Sequence, residues 1–203
     1  MSKLPIVLHP TSMNAVVVGA GNVGSRRIRH LLDSGIQITV ISPSLPECFH
    51  GFVCWEPRYL TKHECLTANL IVLCTDNYEL HDAISKNRAP GQLIYRADDV
   101  KKSDFHFPAV IHRGNLIVTT STDGASPYYS QQLRQQIEQL LPDSIEQDLA
   151  FLEEARTQIK THINKNKRQE LLKYISTDYF LRQRDREEQL QTFLHGEQSI
   201  KNH

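Results

Sequence analysis

Short unbroken apolar runs alternate along the first half of the chain with stretches whose apolar residues return every three or four positions. Ala15–Val18 is such a run, mostly β-branched, and reads as a parallel strand buried on both faces. From Asn22 to Ser34, the residues Val23, Ile28, Leu31 and Leu32 fall at helical spacing, and Gly35 closes that helix. Gln37–Ile41 is a second strand, ended by Ser42 and Pro43. The string HECLTA, residues 63–68, predicts a short helix, and Leu70–Cys74 a further all-apolar strand. Asn77–Arg88 then reads as a helix with Leu80, His81 and Ile84 on one side, followed by a strand over Gln92–Tyr95. Strands and helices in this alternation predict an α/β fold whose parallel sheet is covered on both faces.

The pattern changes near Phe105. HFPAVIHRGNLIVTTST predicts two antiparallel strands around the turn Arg113-Gly114-Asn115. In the next helix Ser126 is placed as N-cap, Pro127 takes the first helical position and Pro142 stops it. Beyond Pro142 no strand signal remains. Ile145, Leu149, Leu152, Ile159 and Ile163 recur at helical steps, with charged residues between them. The expected organisation is an α/β domain over residues 1–112, a central segment over 113–142 and a helical region over 143–203.

Composition narrows the class. With 23 Lys+Arg against 23 Asp+Glu in 203 residues, charge points to neither a nucleic-acid nor a membrane partner. No apolar run approaches the ~20 residues of a membrane helix, and the first residues lack the apolar core of a signal peptide. The chain is therefore expected to be soluble and cytoplasmic. Cys48, Cys54, Cys65 and Cys74 form no C-x-x-C and are expected as reduced, mostly buried thiols. The histidines show no metal-ligand spacing, so no structural metal is expected.

The chemistry starts at VVVGAGNVGSRR. Gly19, Gly21 and Gly24 fit G-x-G-x-x-G between a strand and a helix. The first glycine permits the tight turn, the second a close approach to a pyrophosphate, the third close helix–strand packing. The helix N-terminus would hold the pyrophosphate. After the second strand, where an acid usually meets a ribose, stand Ser42, Pro43 and Ser44. A serine hydroxyl bonds ribose more weakly, and no arginine stands beside it to claim a 2′-phosphate, which modestly favours NAD over NADP. Thr75 and Asp76, with Asn77, sit where the nicotinamide-side ribose would lie, and serve equally as a helix cap. Asp98 and Asp99 follow the next strand, at the carboxyl edge where ligands of open α/β sheets bind. A carboxylate there suits proton transfer, although an acidic loop opposite Lys101 and Lys102 gives the same pattern.

Longer strings carry a resemblance. LPIVLHPTSMNAVVVGAGNVGSRRIRHLLDSG, ITVISP, ANLIVLCTDN and above all FHFPAVIHRGNLIVTTSTDGASPYYSQQLRQQIEQLLP resemble, in order, the precorrin-2 dehydrogenase family of siroheme biosynthesis. The methyltransferase half of the fused siroheme synthases has no counterpart in these strings. The resemblance implies a Rossmann-like domain, a dimerisation segment interlocking two chains as a homodimer, and a helical tail. It implies oxidation of precorrin-2 to sirohydrochlorin with NAD as hydride acceptor. Asp98 falls on the family's proposed acid/base, Asn22-Val23 and Pro43-Ser44 on cofactor contacts, and Ser126 beside the expected tetrapyrrole pocket. Precorrin-2 carries eight carboxylates, for which Arg113, Lys101, Lys102, Arg96 and the helix start at Ser126 are candidate partners, while Tyr128 and Tyr129 could flank the ring but are expected to pack in their helix. The family usually reads Asn-Val-x-Asp where this chain reads Tyr95-Arg96-Ala97-Asp98. Two other readings stay open. One adds iron insertion, with Asp98, His106 and His112 as candidates. The other is a non-enzymatic nucleotide-sensing module of the ion-channel-regulator kind, which generally keeps the acid this chain lacks.

Overall fold

The structure, a computed structural model, describes residues 3–196. The chain forms two compact units that divide after Phe107. In the first, β1 (Asn14–Val18), β2 (Gln37–Ile41), β3 (Cys54–Glu56), β4 (Leu70–Leu73) and β5 (Leu93–Arg96) make a parallel sheet in the order β3-β2-β1-β4-β5. Helices α1 (Asn22–Asp33) and α2 (Tyr78–Lys86) cover its opposite faces. The two-residue period of the strands sorts the apolar side chains. Ala15, Val17, Val40 and Val72 meet Ile28 and Leu31 of α1. Val16, Val18, Ile71, Leu73 and Ile94 meet Leu80 and Ile84 of α2. The chain winds outward from β1 to β3, then crosses back to β4. A crevice therefore opens between the carboxyl ends of β1 and β4.

In the second unit β6 (Ala109–Arg113) and β7 (Leu116–Thr120) form an antiparallel ribbon, turning at Gly114 with φ +53°. Helix α3 (Pro127–Leu140) starts as expected, with Ser126 Oγ accepting the Tyr129 N–H at 3.2 Å. Four further helices follow: α4 (Ile145–His162), α5 (Lys165–Ile175), α6 (Asp178–Leu181) and α7 (Arg186–Leu194). They close on Phe151, Ala155, Ile159, Leu171, Ile175, Phe180 and Leu190. Because β6 pairs with β7 and not with the parallel sheet, it belongs with the second unit, ahead of the boundary expected at residue 112.

Three expectations need correction. Residues 63–68 form no helix; the Gln92 amide donates to the carbonyls of Leu66 and Ala68, each at 2.7 Å, and ties down an irregular connection. Cys48, Cys54 and Cys65 are exposed and only Cys74 is half-buried, because the first three lie in a single 3-10 turn, on the short edge strand β3 and in a loop, respectively. Tyr128 and Tyr129 are exposed, as they project from the first turn of α3. Among the described residues no helix is long and apolar enough to cross a membrane.

Candidate active site

The glycine loop joins β1 to α1 at the crevice. Gly19 has φ +91°, and a Cβ there would come within 2.9 Å of both Cys74 O and Thr75 Cγ2. A Cβ on Gly24 would lie 2.0 Å from Gly19 O. These two glycines are demanded by the protein itself. Gly21 is not: its φ is −66°, and a Cβ would meet nothing within 4 Å. The loop is also fixed from behind. Gly19 N–H donates to Ile41 O at 3.0 Å, Ala20 N–H to Ser42 Oγ at 3.2 Å, and Ser25 Oγ to Ala20 O at 2.9 Å. No side chain caps α1, so the N–H groups of its first turn, at Asn22 and Val23, face outward at the positive end of the helix. Open space at Gly21 beside uncapped amides is the shape a pyrophosphate fills.

The flanking residues divide. Pro43 and Ser44 are exposed after β2, whereas Ser42 is 5% exposed and its hydroxyl accepts the Ala20 N–H. Arg27 is committed elsewhere too, its guanidinium lying 4.8 Å from the Tyr95 ring centroid and 4.7 Å from that of Phe107. Asp76 is exposed, and Asn77 caps α2 by accepting the Leu80 N–H at 3.0 Å.

A polar network runs along the carboxyl ends of β4 and β5. Thr75 Oγ1 lies 3.0 Å from His81 Nε2, and His81 Nδ1 lies 2.6 Å from Asp98 Oδ1. Arg96 grips Asp98 with both arms of its fork, Nε to Oδ1 at 3.2 Å and Nη2 to Oδ2 at 2.6 Å. Its third nitrogen, Nη1, donates to Asp82 Oδ1 at 2.5 Å, which Lys102 Nζ also reaches at 3.1 Å. The His81 side chain is 0% exposed, that of Arg96 2% and that of Asp98 11%. The Arg96 guanidinium, helped by His81, holds the Asp98 carboxyl well below the usual carboxylate range. Asp98 is thus a fixed anion with both oxygens engaged. Arg96, which the sequence offered as a partner for substrate carboxylates, is buried in this ion pair and unavailable for that task. Asp99 caps the turn that follows, accepting the Lys101 N–H at 2.8 Å.

Arg113 and Ser126 belong to the second unit. Arg113 borders a hollow of about 390 Å³ with Gln135, Glu138 and Gln139, and Ser126 serves as the α3 cap. Sequence reasoning found the buried face of α2 but not the part His81 plays. The signal was a histidine one turn inside a helix that starts at the crevice.

A doubly wound sheet, a glycine loop that leaves room at Gly21 and an uncapped helix behind it define a dinucleotide-binding domain of the Rossmann class. Residues 6–109 match the model of the NAD(P)-binding family described as "Putative NAD(P)-binding", and the chain belongs to that family. It is 29% identical to a precorrin-2 dehydrogenase of Bacillus subtilis (strain 168), over 68% of this chain and 88% of that one. It is 26% identical to the precorrin-2 dehydrogenase of Priestia megaterium, over 86% and 90%. A siroheme synthase of Aeromonas salmonicida (strain A449) is 34% identical over 79% of this chain, which spans only 36% of that longer protein. The solved structure of SirC, a precorrin-2 dehydrogenase, shares the fold with a TM-score of 0.81 at 24% identity, covering 95% of this chain and 99% of that one.

Proposed function

We propose that this protein oxidises precorrin-2 to sirohydrochlorin, passing a hydride to NAD, and works as a cytoplasmic homodimer. One observation carries the reading. The likeness to a precorrin-2 dehydrogenase does not stop with the cofactor domain but continues through 86% of this chain and 90% of that one. A general dinucleotide module would match through residue 109 alone.

The residues fit the cofactor. Gly21, with the amides of Asn22 and Val23, would hold the pyrophosphate, Pro43 and Ser44 would border the adenosine end, and Thr75 and Asp76 the nicotinamide end. Bound NAD supplies the hydride acceptor. The protein's own task is to orient the macrocycle, exclude water and take up the proton that leaves with the hydride. Asp98 belongs to that task, and Arg113 and the α3 start at Ser126 are our candidates for the carboxylate rim.

The ribbon supports the dimer. One of its faces presents Ile111 and Thr120, both buried, while Val110 and Ile117 on the other face are 40% and 45% exposed. A two-stranded ribbon with exposed Val110 and Ile117 on its outer face gains by covering them with a second copy. Mixing protein, precorrin-2 and NAD without oxygen should yield sirohydrochlorin absorbance and one NADH per product; absence of both rejects the activity. Light scattering at micromolar concentration should give twice the chain mass, and a monomer there rejects the dimer.

A further inference from the structure

We infer that Thr75 and His81 form the path by which the substrate proton leaves, with Asp98 as the fixed anion behind them. The inference rests on the oxidation proposed above and adds a residue to it. Asp98 is poorly suited to accept the proton itself. Its Oδ1 already receives His81 Nδ1 and Arg96 Nε, and its Oδ2 receives Arg96 Nη2. A carboxylate held ionised by a bidentate guanidinium accepts hydrogen bonds but binds a further proton weakly.

The same anion decides how His81 is protonated. An ionised carboxylate only accepts, so in the neutral ring Nδ1 carries the imidazole hydrogen and Nε2 presents a lone pair. That lone pair faces Thr75 Oγ1 at 3.0 Å. Thr75 Oγ1 receives the Asn77 N–H at 3.3 Å, which leaves its own proton for His81. The threonine is half-buried at the end of β4, and its methyl group is one of the atoms that bars a side chain from Gly19. The threonine therefore stands beside the glycine loop, after strand β4, where the cofactor reading puts the nicotinamide end. His81 is fully buried, with Thr75 Oγ1 against its Nε2.

The step balances with the acceptor already named. One hydrogen of the macrocycle leaves with its bonding electrons to NAD. A second leaves as a proton, and its electron pair stays behind as the new double bond. Thr75 Oγ1 takes that proton as its own passes to His81 Nε2. His81 ends as an imidazolium 2.6 Å from the Asp98 carboxylate, which stabilises the new charge.

Two measurements test this. The first needs no substrate: nitrogen-15 NMR of the imidazole rings, with His81 assigned by its loss in a His81→Asn variant. For the neutral ring the expected spectrum shows a protonated Nδ1 and a bare, hydrogen-bonded Nε2, with the Nε2 signal shifting in Thr75→Val. A proton on Nε2 in place of Nδ1, or no shift in Thr75→Val, overturns the path. The second is steady-state kinetics with a parallel titration of NAD. Thr75→Val should lose about 100-fold or more in kcat, within the range for a lost proton-transfer group. Its KM for precorrin-2 should stay within about threefold, and Thr75→Ser, which keeps the hydroxyl, should restore most of the rate. Equal loss in Thr75→Ser and Thr75→Val would reduce Thr75 to packing, and a kcat for Thr75→Val within about threefold of the parent would refute the path while leaving the oxidation intact. A parent protein that forms no NADH refutes the oxidation instead, and the NMR result still judges the geometry.

Discussion

Replacing Gly21 by alanine separates what the fold needs from what a ligand needs. At φ −66° and ψ −166° an alanine backbone is unstrained, and its Cβ would touch no protein atom within 4 Å. Alanine is a poorer helix N-cap than glycine by several tenths of a kcal/mol. It also lowers the entropy of the unfolded chain by about 0.4–1 kcal/mol in the opposite sense. The two nearly cancel, so the free protein should melt within a degree or two of the parent, on the scale of about 4–8 °C per kcal/mol for a small domain. Binding should behave otherwise. A methyl group between the loop and a pyrophosphate displaces at least one charge-assisted amide contact, about 1.5–3 kcal/mol, which is roughly a 10- to 150-fold loss in affinity. Gly24→Ala is the counterpart, since its Cβ would stand 2.0 Å from a backbone oxygen that no rotamer change can move. It should lose about 3 kcal/mol or more of stability before any ligand is added. Thermal unfolding without ligand, paired with calorimetric titration of NAD, reads both quantities. If Gly21→Ala binds NAD within about threefold of the parent, or destabilises the free protein as much as Gly24→Ala, the crevice at Gly21 is not a phosphate cradle.

Removing Arg96 as Arg96→Met strips the Asp98 carboxylate of its main cation, and urea unfolding should show a loss of about 3 kcal/mol, as for other pairs broken out of the protein interior; a loss under about 1 kcal/mol would mean that solvent already screens the pair. The same pair has a pH signature. Asp98 titrates lower in the folded chain than in the unfolded one, so the unfolded state binds the extra proton and the pair's contribution is fully present above about pH 5. It is lost as pH falls from there toward the depressed folded value, and the stability gap between the parent and Asp98→Asn should narrow between about pH 5 and pH 3; a gap that stays constant refutes the ion pair. Burial pushes the Cys74 thiol up to about 11, whereas Cys48, Cys54 and Cys65 are exposed. Iodoacetamide at mildly alkaline pH should therefore alkylate those three and spare Cys74 until the chain unfolds, and early labelling of Cys74 by mass spectrometry would contradict its placement.

How much of this could be read from the chain depended on whether a feature is local. The β1–loop–α1–β2 unit was legible because its apolar periods, its glycine spacing and the φ > 0 turn at Gly19 all lie within neighbouring residues. Strand β3 was not, since Cys54-Trp55-Glu56 has no apolar run and is specified by pairing with Thr39–Ile41 and by Trp55 Nε1 donating to Ser42 O. The bond from Ala20 N–H to Ser42 Oγ was not legible, because nothing local pairs the two residues until β1 and β2 lie side by side. The proton network shows the limit most clearly. Thr75, His81 and Asp98 come from the end of one strand, a helix and the end of the next strand, and only the parallel pairing of β4 with β5 brings them together. Arg96 was visible as a departure from the family's Asn-Val-x-Asp string, but its meaning depends on that assembly. Once it is in place the anion is fixed and its oxygens are filled, which is the ground for proposing proton uptake through Thr75 and His81 Nε2 and not on Asp98 itself. The departure in the sequence and the assignment to His81 therefore stand or fall together.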